Sequence, residues 1–143
     1  PAYNGAVLMK QSAVAASFSR QAAEYDIRPA NGALATSAFS GGNQQKIVLA
    51  RELDRNPDVL LVGQPTRGVD IGAIEFVHRR LVALRDAGKA LLLVSVELDE
   101  IMALADRILI MHDGRIVGDM PRAAATEQTL GLLMAGVTEP SPT

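Results

Sequence analysis

The sequence SGGNQQK at residues 40–46 joins two glycines to the start of a helix-like pattern. Apolar residues recur at helical spacing directly after it, at Ile47, Ala50 and Leu53. Glycine allows the backbone to approach another group closely, and the first N–H groups of a helix have no partner within the helix. The positive end of the helix dipole adds to these donors, so a helix that starts at Gly41 could bind an anion. The alternative is a capped, glycine-rich helix start that binds nothing, and the surrounding sequence decides between the two.

The composition limits the kind of protein that this chain can be. Its 143 residues suffice for one domain with a core, and 48% hydrophobic with 21% charged residues is ordinary for a globular protein. The net charge of −2 gives no electrostatic support for a nucleic acid partner. Cysteine is absent and histidine occurs twice, which excludes thiolate metal sites and disfavours a histidine-rich one. No apolar run reaches the roughly 18 residues that a membrane span needs. The start at Pro1 has neither an initiator Met nor a secretory signal, and we expect it to be a cut.

A mainly helical piece is predicted up to about residue 55. Residues 12–25 carry apolar side chains on one helical face, with Ser12 as a candidate N-cap. The pair Arg28-Pro29 ends this helix, because the residue before a proline avoids the helical region. The second helix, after Gly41, is expected to run to Asp54 or Arg55.

Strands and helices alternate in the rest of the chain. The apolar runs at 58–62 and 90–95 predict strands, and we expect the first to be buried on both faces. Between them, Asp70 can cap a helix that ends near Gly88. This strand–helix–strand order predicts a parallel crossover connection.

The remaining elements are predicted in the same way. They are a short helix at 97–105, a strand at 107–111, a hairpin turn at 113–114, a return strand at 115–117 and a last helix from Thr126 to Gly136. The pattern predicts an α/β fold. We divide it into a helical part at 1–55, an α/β core at 56–136 and a flexible tail at 137–143.

Several of these stretches, in this order, resemble the C-terminal half of an ABC-transporter nucleotide-binding domain. The sequence from Phe39 to Lys46 is similar to the signature loop, in the form typical of sugar-type and nucleoside-type importers. Residues 59–62 are similar to the Walker B strand, residues 65–70 to the following turn and D-loop, and residues 90–96 to the switch-histidine strand and loop. The resemblance covers roughly residues 12–135 and is specific, because several motifs occur in the right order. It implies a partial P-loop NTPase fold, with a parallel-sheet core, flanking helices and part of the helical subdomain.

The sequence departs from the family pattern at its catalytic positions. The 143 residues contain no glycine-rich P-loop with a lysine, so the resemblance implies that the P-loop portion is missing. Gly63 and Gln64 stand where the family's Walker B strand ends in Asp-Glu, and Val96 stands at the switch position. Glycine offers no metal ligand, and a carboxamide cannot accept a proton from water. No catalytic group is therefore intact, no metal site is expected, and the isolated chain is expected to be inactive.

The resemblance also implies how the chain takes part in ATP hydrolysis. Two nucleotide-binding domains of this family close head to tail, and each ATP with Mg²⁺ lies between the P-loop of one and the signature of the other. The signature residues that would contact such an ATP are Ser40, Gly41, Gly42, Asn43 and Gln44. Asp70 would lie at the domain interface as the D-loop aspartate, and it can be a helix N-cap at the same time. Lys46 either adds positive charge to the site or is a solvated helix residue.

The implied partners are the first nucleotide-binding domain of the same or a partner chain and the membrane-spanning permease subunits. The degenerate positions suit the second domain of a tandem ATPase at the cytoplasmic face of the inner membrane, where it would be a peripheral subunit. No nucleotide is expected on the isolated chain. Its sheet would expose apolar surface because the P-loop strand and helix are missing, so self-association is expected.

Two other classes of function remain open from the sequence. One is a soluble, non-transport ABC-type ATPase of DNA repair or translation, which would call for a basic face or a long coiled-coil insertion, and neither is present. The other is an interaction module with no nucleotide role. The SGG sequence at residues 40–42 argues against this module.

Overall fold

The computed structural model describes residues 10–137 and confirms the predicted α/β class. In chain order the helices and strands are α1 (Gln11–Glu24), α2 (Gly41–Leu53), β1 (Val59–Gly63), α3 (Ile71–Asp86), β2 (Ala90–Val94), α4 (Leu98–Leu104), β3 (Arg107–His112), β4 (Arg115–Pro121) and α5 (Glu127–Met134). Short 3-10 helices cover Thr36–Ala38 and Arg122–Ala124. The start at Pro1 lies outside the described residues, and so does all of the predicted tail except residue 137.

The chain divides into two compact units. The first runs up to Leu60 and resumes over Pro65–Ala90, so it contains α1, α2 and α3. The second comprises Leu61–Gln64 and the residues from Leu91 onward. The boundary at residues 55 and 56, between a helical part and an α/β core, stays a prediction.

The core of the first unit is built on the apolar faces of its helices. Its buried members are Ala22, Tyr25, Ile27, Phe39 and Ala50, with Phe18, Ile47, Leu49, Leu53 and Phe76 packed against them. The stripe predicted after the SGG sequence therefore does face the core. The predicted cap of α1 is wrong, because the N-cap is Lys10, which makes no capping hydrogen bond through its side chain. Ser12 lies inside the first turn instead.

The core of the second unit is formed by the hairpin of β3 and β4 and the helices α4 and α5. Its buried members are Ile108, Ile110, Ala125 and Leu130. The turn at Asp113 and Gly114 has φ angles of 46° and 72°, as a two-residue hairpin with two left-handed residues requires. Strand β4 continues to Pro121, beyond the predicted residue 117, because it pairs antiparallel with the whole of β3.

Strands β1 and β2 are neighbours in a separate two-stranded sheet. The N–H of Ala90 donates to the carbonyl of Asp58 at 2.9 Å, and the N–H of Gln64 donates to the carbonyl of Val94 at 2.8 Å. The start of one strand thus pairs with the start of the other, and end with end, as in a parallel pair. This agrees with the predicted crossover through α3.

The prediction that β1 is buried on both faces is wrong. Val59 and Leu61 are 64% and 74% exposed, and Leu92 and Val94 of β2 are 50% and 56% exposed. Alternate side chains of a strand point to opposite faces, so one face of each strand is apolar and open. A continuous apolar run indicates that both faces of a strand could be buried. In the described residues, other elements cover only one face of β1. Over the same residues, no helix is both long and apolar enough to cross a membrane.

Candidate functional site

The predicted anion site lies at the start of helix α2. Ser40 is the N-cap, with extended backbone angles, and its Oγ accepts a hydrogen bond from the N–H of Asn43 at 3.4 Å. Serine is favoured here because its hydroxyl oxygen satisfies one of the first helical N–H groups. Ser40 and Gly41 are exposed, whereas Gly42 is buried. The outward-facing donors at this helix start are therefore the Ser40 hydroxyl and the first-turn backbone at Gly41.

The two amide side chains that follow the glycines are engaged within the chain. Asn43 donates from Nδ2 to Ser40 Oγ at 2.9 Å and accepts at Oδ1 from the backbone N–H of Arg28 at 2.8 Å. Gln44 donates from Nε2 to the carbonyl of Phe39 at 2.8 Å. The sequence predicted both side chains as nucleotide contacts, and this remains a prediction. The hydrogen bond from Arg28 joins residues far apart in sequence, and no local pattern indicates it.

Lys46 faces the segment that follows α1. Its Nζ donates to the carbonyl of Asp26 at 3.0 Å, lies 3.4 Å from Asp26 Oδ2 and lies 5.0 Å from the centre of the Phe76 ring. Its side chain is only 13% exposed, so the prediction of a solvated helix residue is wrong. The hydrogen bond from Arg28 and the charge of Lys46 lower the pKa of Asp26 below its ordinary value of 3.8.

Helix α3 begins directly beside this site. Asp70 is its N-cap, as predicted, and Oδ1 accepts from the N–H of Ala73 at 2.9 Å. A Cβ atom at Gly42 would lie 2.8 Å from the Cβ of Ala73 and 2.9 Å from Asp70 Oδ2. The first turns of α2 and α3 therefore touch, and only glycine fits at position 42 without movement of a neighbour. Small residues in the first turns of two helices could have indicated this packing.

An open groove of about 300 Å³ runs past the exposed side of the two helix starts. It is lined by Gly41, Gln44, Gln45, Val48, Arg67, Gly68 and Val69. Arg67 is exposed and adds a positive charge to the groove. Helix-start donors and a guanidinium together suit a negatively charged ligand better than a neutral one.

Gly63, Gln64 and Val96, which the sequence predicts to be degenerate catalytic positions, lie in the second unit. A Cβ atom at Gly63 would meet nothing within 4 Å, so there is space for a side chain at this position. Gln64 has a left-handed φ of 49°, and its Oε1 is buried without a hydrogen-bond partner in the structure of residues 10–137. Val96 follows β2 and is 60% exposed. None of these three side chains can act as an acid or a base.

The residues at these positions do not fit a bound Mg²⁺ ion. Glycine has no oxygen ligand in its side chain, and Gln64 offers one neutral oxygen, whereas Mg²⁺ is usually held through carboxylates and phosphates. In the described part of the chain, no group of three or more acidic or histidine side chains could hold a metal ion. The side chains at positions 63 and 64 therefore do not form a Mg²⁺ site of their own.

Three curated proteins with related sequences are named as import ATP-binding proteins. The guanosine import ATP-binding protein NupO of Bacillus subtilis is 57% identical over 81% of this chain and 23% of its own length. The nucleoside import ATP-binding protein NupA of Lactococcus lactis is 55% identical over 79% of this chain and 22% of its own length. A ribose import ATP-binding protein of Streptomyces avermitilis, RbsA 2, is 49% identical over 76% of this chain and 22% of its own length. The chain thus spans less than a quarter of these relatives, and no family model matches it.

The fold of this chain matches about half of each of two solved ATP-binding cassettes. A dimeric ATP-binding cassette in a post-hydrolysis state, bound to ADP and Pi, matches with a TM-score of 0.66 and 22% identity. The match covers 84% of this chain and 51% of that one. An ATP-binding cassette of an ABC transporter in its ADP conformation matches with a TM-score of 0.59 and 20% identity, over 84% of this chain and 45% of that one. At these identities the likeness concerns the fold alone.

Proposed function

Because this chain has the fold of part of an ATP-binding cassette and is homologous to the ATP-binding proteins of sugar and nucleoside importers, we propose that it belongs to such a subunit and completes an ATP site in trans. The start of α2 would donate hydrogen bonds to the γ-phosphate of an ATP that the P-loop of another nucleotide-binding domain holds. The higher identity to guanosine and nucleoside import proteins than to a ribose import protein favours a nucleoside as the transported solute.

One observation carries this proposal, namely the exposed serine and glycine at the first turn of α2. Ser40 and Gly41 present a hydroxyl and a helix-start backbone at the surface, beside the groove that Arg67 lines. Preorganised donors of this kind stabilise negative charge as it develops on a transferred phosphoryl group. They need no carboxylate of their own, because the bound ATP and its Mg²⁺ belong to the other domain.

The second half of the proposal concerns the site on this chain's own β1. Gly63 and Gln64 provide neither a metal ligand nor a base, so nucleotide bound at that site would be hydrolysed slowly or not at all. The subunit would therefore be asymmetric. The site completed by Ser40 would support turnover, and the site at Gly63 would support binding at most.

The assembly that follows from this proposal contains three kinds of component. The chain would close against a first nucleotide-binding domain of the same or a partner chain, with Asp70 at that interface. It would contact permease subunits at the cytoplasmic face of the membrane as a peripheral subunit. The isolated 143 residues contain no P-loop, so we expect no ATP turnover from them alone.

The experiment that tests the proposal is a Ser40→Arg substitution in the full-length subunit, assembled with its permease subunits. The hydroxyl is lost and a bulky side chain enters the groove, so we expect ATP turnover to fall about a hundredfold or more. Gln128→Ala changes an exposed residue of α5 in the other unit and is the matched control. Unchanged turnover in Ser40→Arg, with unchanged assembly, would contradict the proposal and would favour an interaction module.

A further inference from the structure

We propose that Asn43 is a positioning residue, which acts on the phosphate through Ser40 and does not contact it. This inference rests on the proposed function, because it assumes that Ser40 faces the nucleotide. Ser40 would contact the phosphate, and Asn43, three residues later, would orient the Ser40 hydroxyl.

The hydrogen bonds around the Ser40 hydroxyl carry the first step. Its Oγ accepts from Asn43 Nδ2 at 2.9 Å and from the Asn43 backbone N–H at 3.4 Å. A hydroxyl has two acceptor lone pairs and one O–H donor. Because both lone pairs of the Ser40 hydroxyl accept from Asn43, its O–H hydrogen is the group that remains available for a ligand on the exposed side. Asn43 thereby makes Ser40 a donor, which is the role that a phosphate oxygen requires.

The orientation of the Asn43 amide carries the second step. Its Oδ1 accepts from the backbone N–H of Arg28 at 2.8 Å. If the amide were reversed, its NH₂ group would face that N–H, and two donors would oppose each other. The N–H of Arg28 thus determines that Nδ2 points to Ser40. A backbone donor is useful here, because it does not depend on the identity of the side chain at position 28.

The segment that supplies this donor is itself held on α2. Lys46 lies one turn after Asn43, on the same side of the helix, and its Nζ binds the carbonyl of Asp26 at 3.0 Å. Arg28 donates from Nε to Asp26 Oδ1 at 2.7 Å, which closes the segment on itself. Lys46 and Asn43 therefore hold the two ends of residues 26–28. The opposite side of the helix start lines the groove and is left for the ligand.

A double-mutant cycle in the full-length subunit, assembled with its permease subunits, tests this inference. The variants are Ser40→Ala, Asn43→Ala and the two combined, and KM and kcat for ATP are measured for each. Asn43→Ala removes one neutral hydrogen bond to Ser40, which in the proposed function stabilises charge on the transferred phosphoryl group, so we expect kcat to fall about three- to tenfold. In the Ser40→Ala background the same change should have no further effect, because Asn43 then has nothing to orient.

The possible outcomes separate the inference from the function on which it rests. If Ser40→Ala leaves KM and kcat unchanged, the proposed function fails. If Ser40→Ala has an effect and Asn43→Ala multiplies it in the double variant, Asn43 contacts the nucleotide directly and the inference fails. It also fails if Asn43→Ala alone has no effect.

Thermal unfolding of each variant shows whether a fall in apparent kcat reflects a loss of folded protein. Asn43→Leu replaces Asn43→Ala if the alanine variant unfolds at a lower temperature, since leucine keeps the branched heavy-atom arrangement of asparagine and removes the hydrogen bonds. Gln128→Ala serves again as the control and should leave the unfolding temperature, KM and kcat unchanged.

Discussion

Gly63 occupies a position where the backbone makes no demand for glycine. Its φ lies outside the left-handed region, and the space around a Cβ atom there is open. Gln64 is the residue of the pair with the constrained backbone, at a φ of 49°. The absence of a carboxylate at position 63 is thus a chemical property of this chain and is not imposed by its fold.

We therefore expect that the double substitution Gly63→Asp with Gln64→Glu can be introduced without unfolding the protein. It adds a metal-binding carboxylate and a base, so the site on this chain's own β1 should gain ATP turnover, by about a hundredfold or more. The measurement is single-turnover hydrolysis by the full-length subunit. Gly63→Asn adds the same bulk without a charge and is the control. A folded double variant with no gain would show that more than these two positions has degenerated.

The role of a residue can be predicted from the sequence when its interaction partners are close to it in the chain. The caps at Ser40, Asp70 and Thr126 were predictable, since each side-chain oxygen accepts from an N–H three residues later. The role of Asn43 in the chain was not, because its partner at Arg28 is brought close by the packing of α1 on α2. Of the two alternatives left open for Lys46, the solvated one is wrong for the same reason, since its partners Asp26 and Phe76 are distant in sequence.

At the scale of elements, the contact between α2 and α3 decides the geometry of the site. The Cα of Gly42 faces the Cβ of Ala73 at a distance that leaves no room for a methyl group. Two small residues thus let two helix starts, each with its own cap, lie side by side. The groove beside them exists because of this approach.

Gly42→Ala should consequently destabilise the first unit by about 1–3 kcal/mol, through overpacking against Ala73 and Asp70. Adding Ala73→Gly should restore part of the loss, since it removes one of the two clashing groups. Urea denaturation of the single and double variants measures both effects. Gly131→Ala in α5 meets open space and should stabilise by about 0.5–1 kcal/mol. An equal loss in the single and double variants would show that the contact with Ala73 is not the cause.

Element boundaries were also predictable to within a few residues, but burial was not. The run at residues 58–62 has the composition of a strand covered on both sides, and β1 does form there. Whether a strand is covered depends on other segments, and the described residues pack on one face only. The apolar pattern of a strand does not indicate whether another segment covers its second face.

At the scale of the whole molecule, the described residues include exposed apolar side chains along β1 and β2. Val59, Leu61, Leu92 and Val94 are each at least half exposed. Contiguous apolar surface of this kind indicates an interaction site. The chain spans about half of the cassette structures that it matches, so the rest of such a domain is one occupant for this face.

We expect the isolated 143-residue chain to self-associate through this face. Leu61→Gln with Leu92→Gln should weaken the association, by about tenfold or more for each leucine that becomes buried in the contact. Sedimentation velocity over a range of concentrations measures the effect. Leu132→Gln changes an exposed leucine of α5 and is the control. A monomer at all concentrations, or an equal effect of the control, would contradict this use of the face.

Under the proposed function, the contact of Gly42 with Asp70 and Ala73 links the partner interface to the start of α2. The first turns of α2 and α3 pack so closely that a Cβ atom at Gly42 would lie 2.8 Å from the Cβ of Ala73 and 2.9 Å from Asp70 Oδ2. A displacement of Asp70 by an approaching domain would therefore also shift Gly42 and, with it, the cap at Ser40. Closure of the partner domain would thus alter the position of the phosphate donors at Ser40 and Gly41.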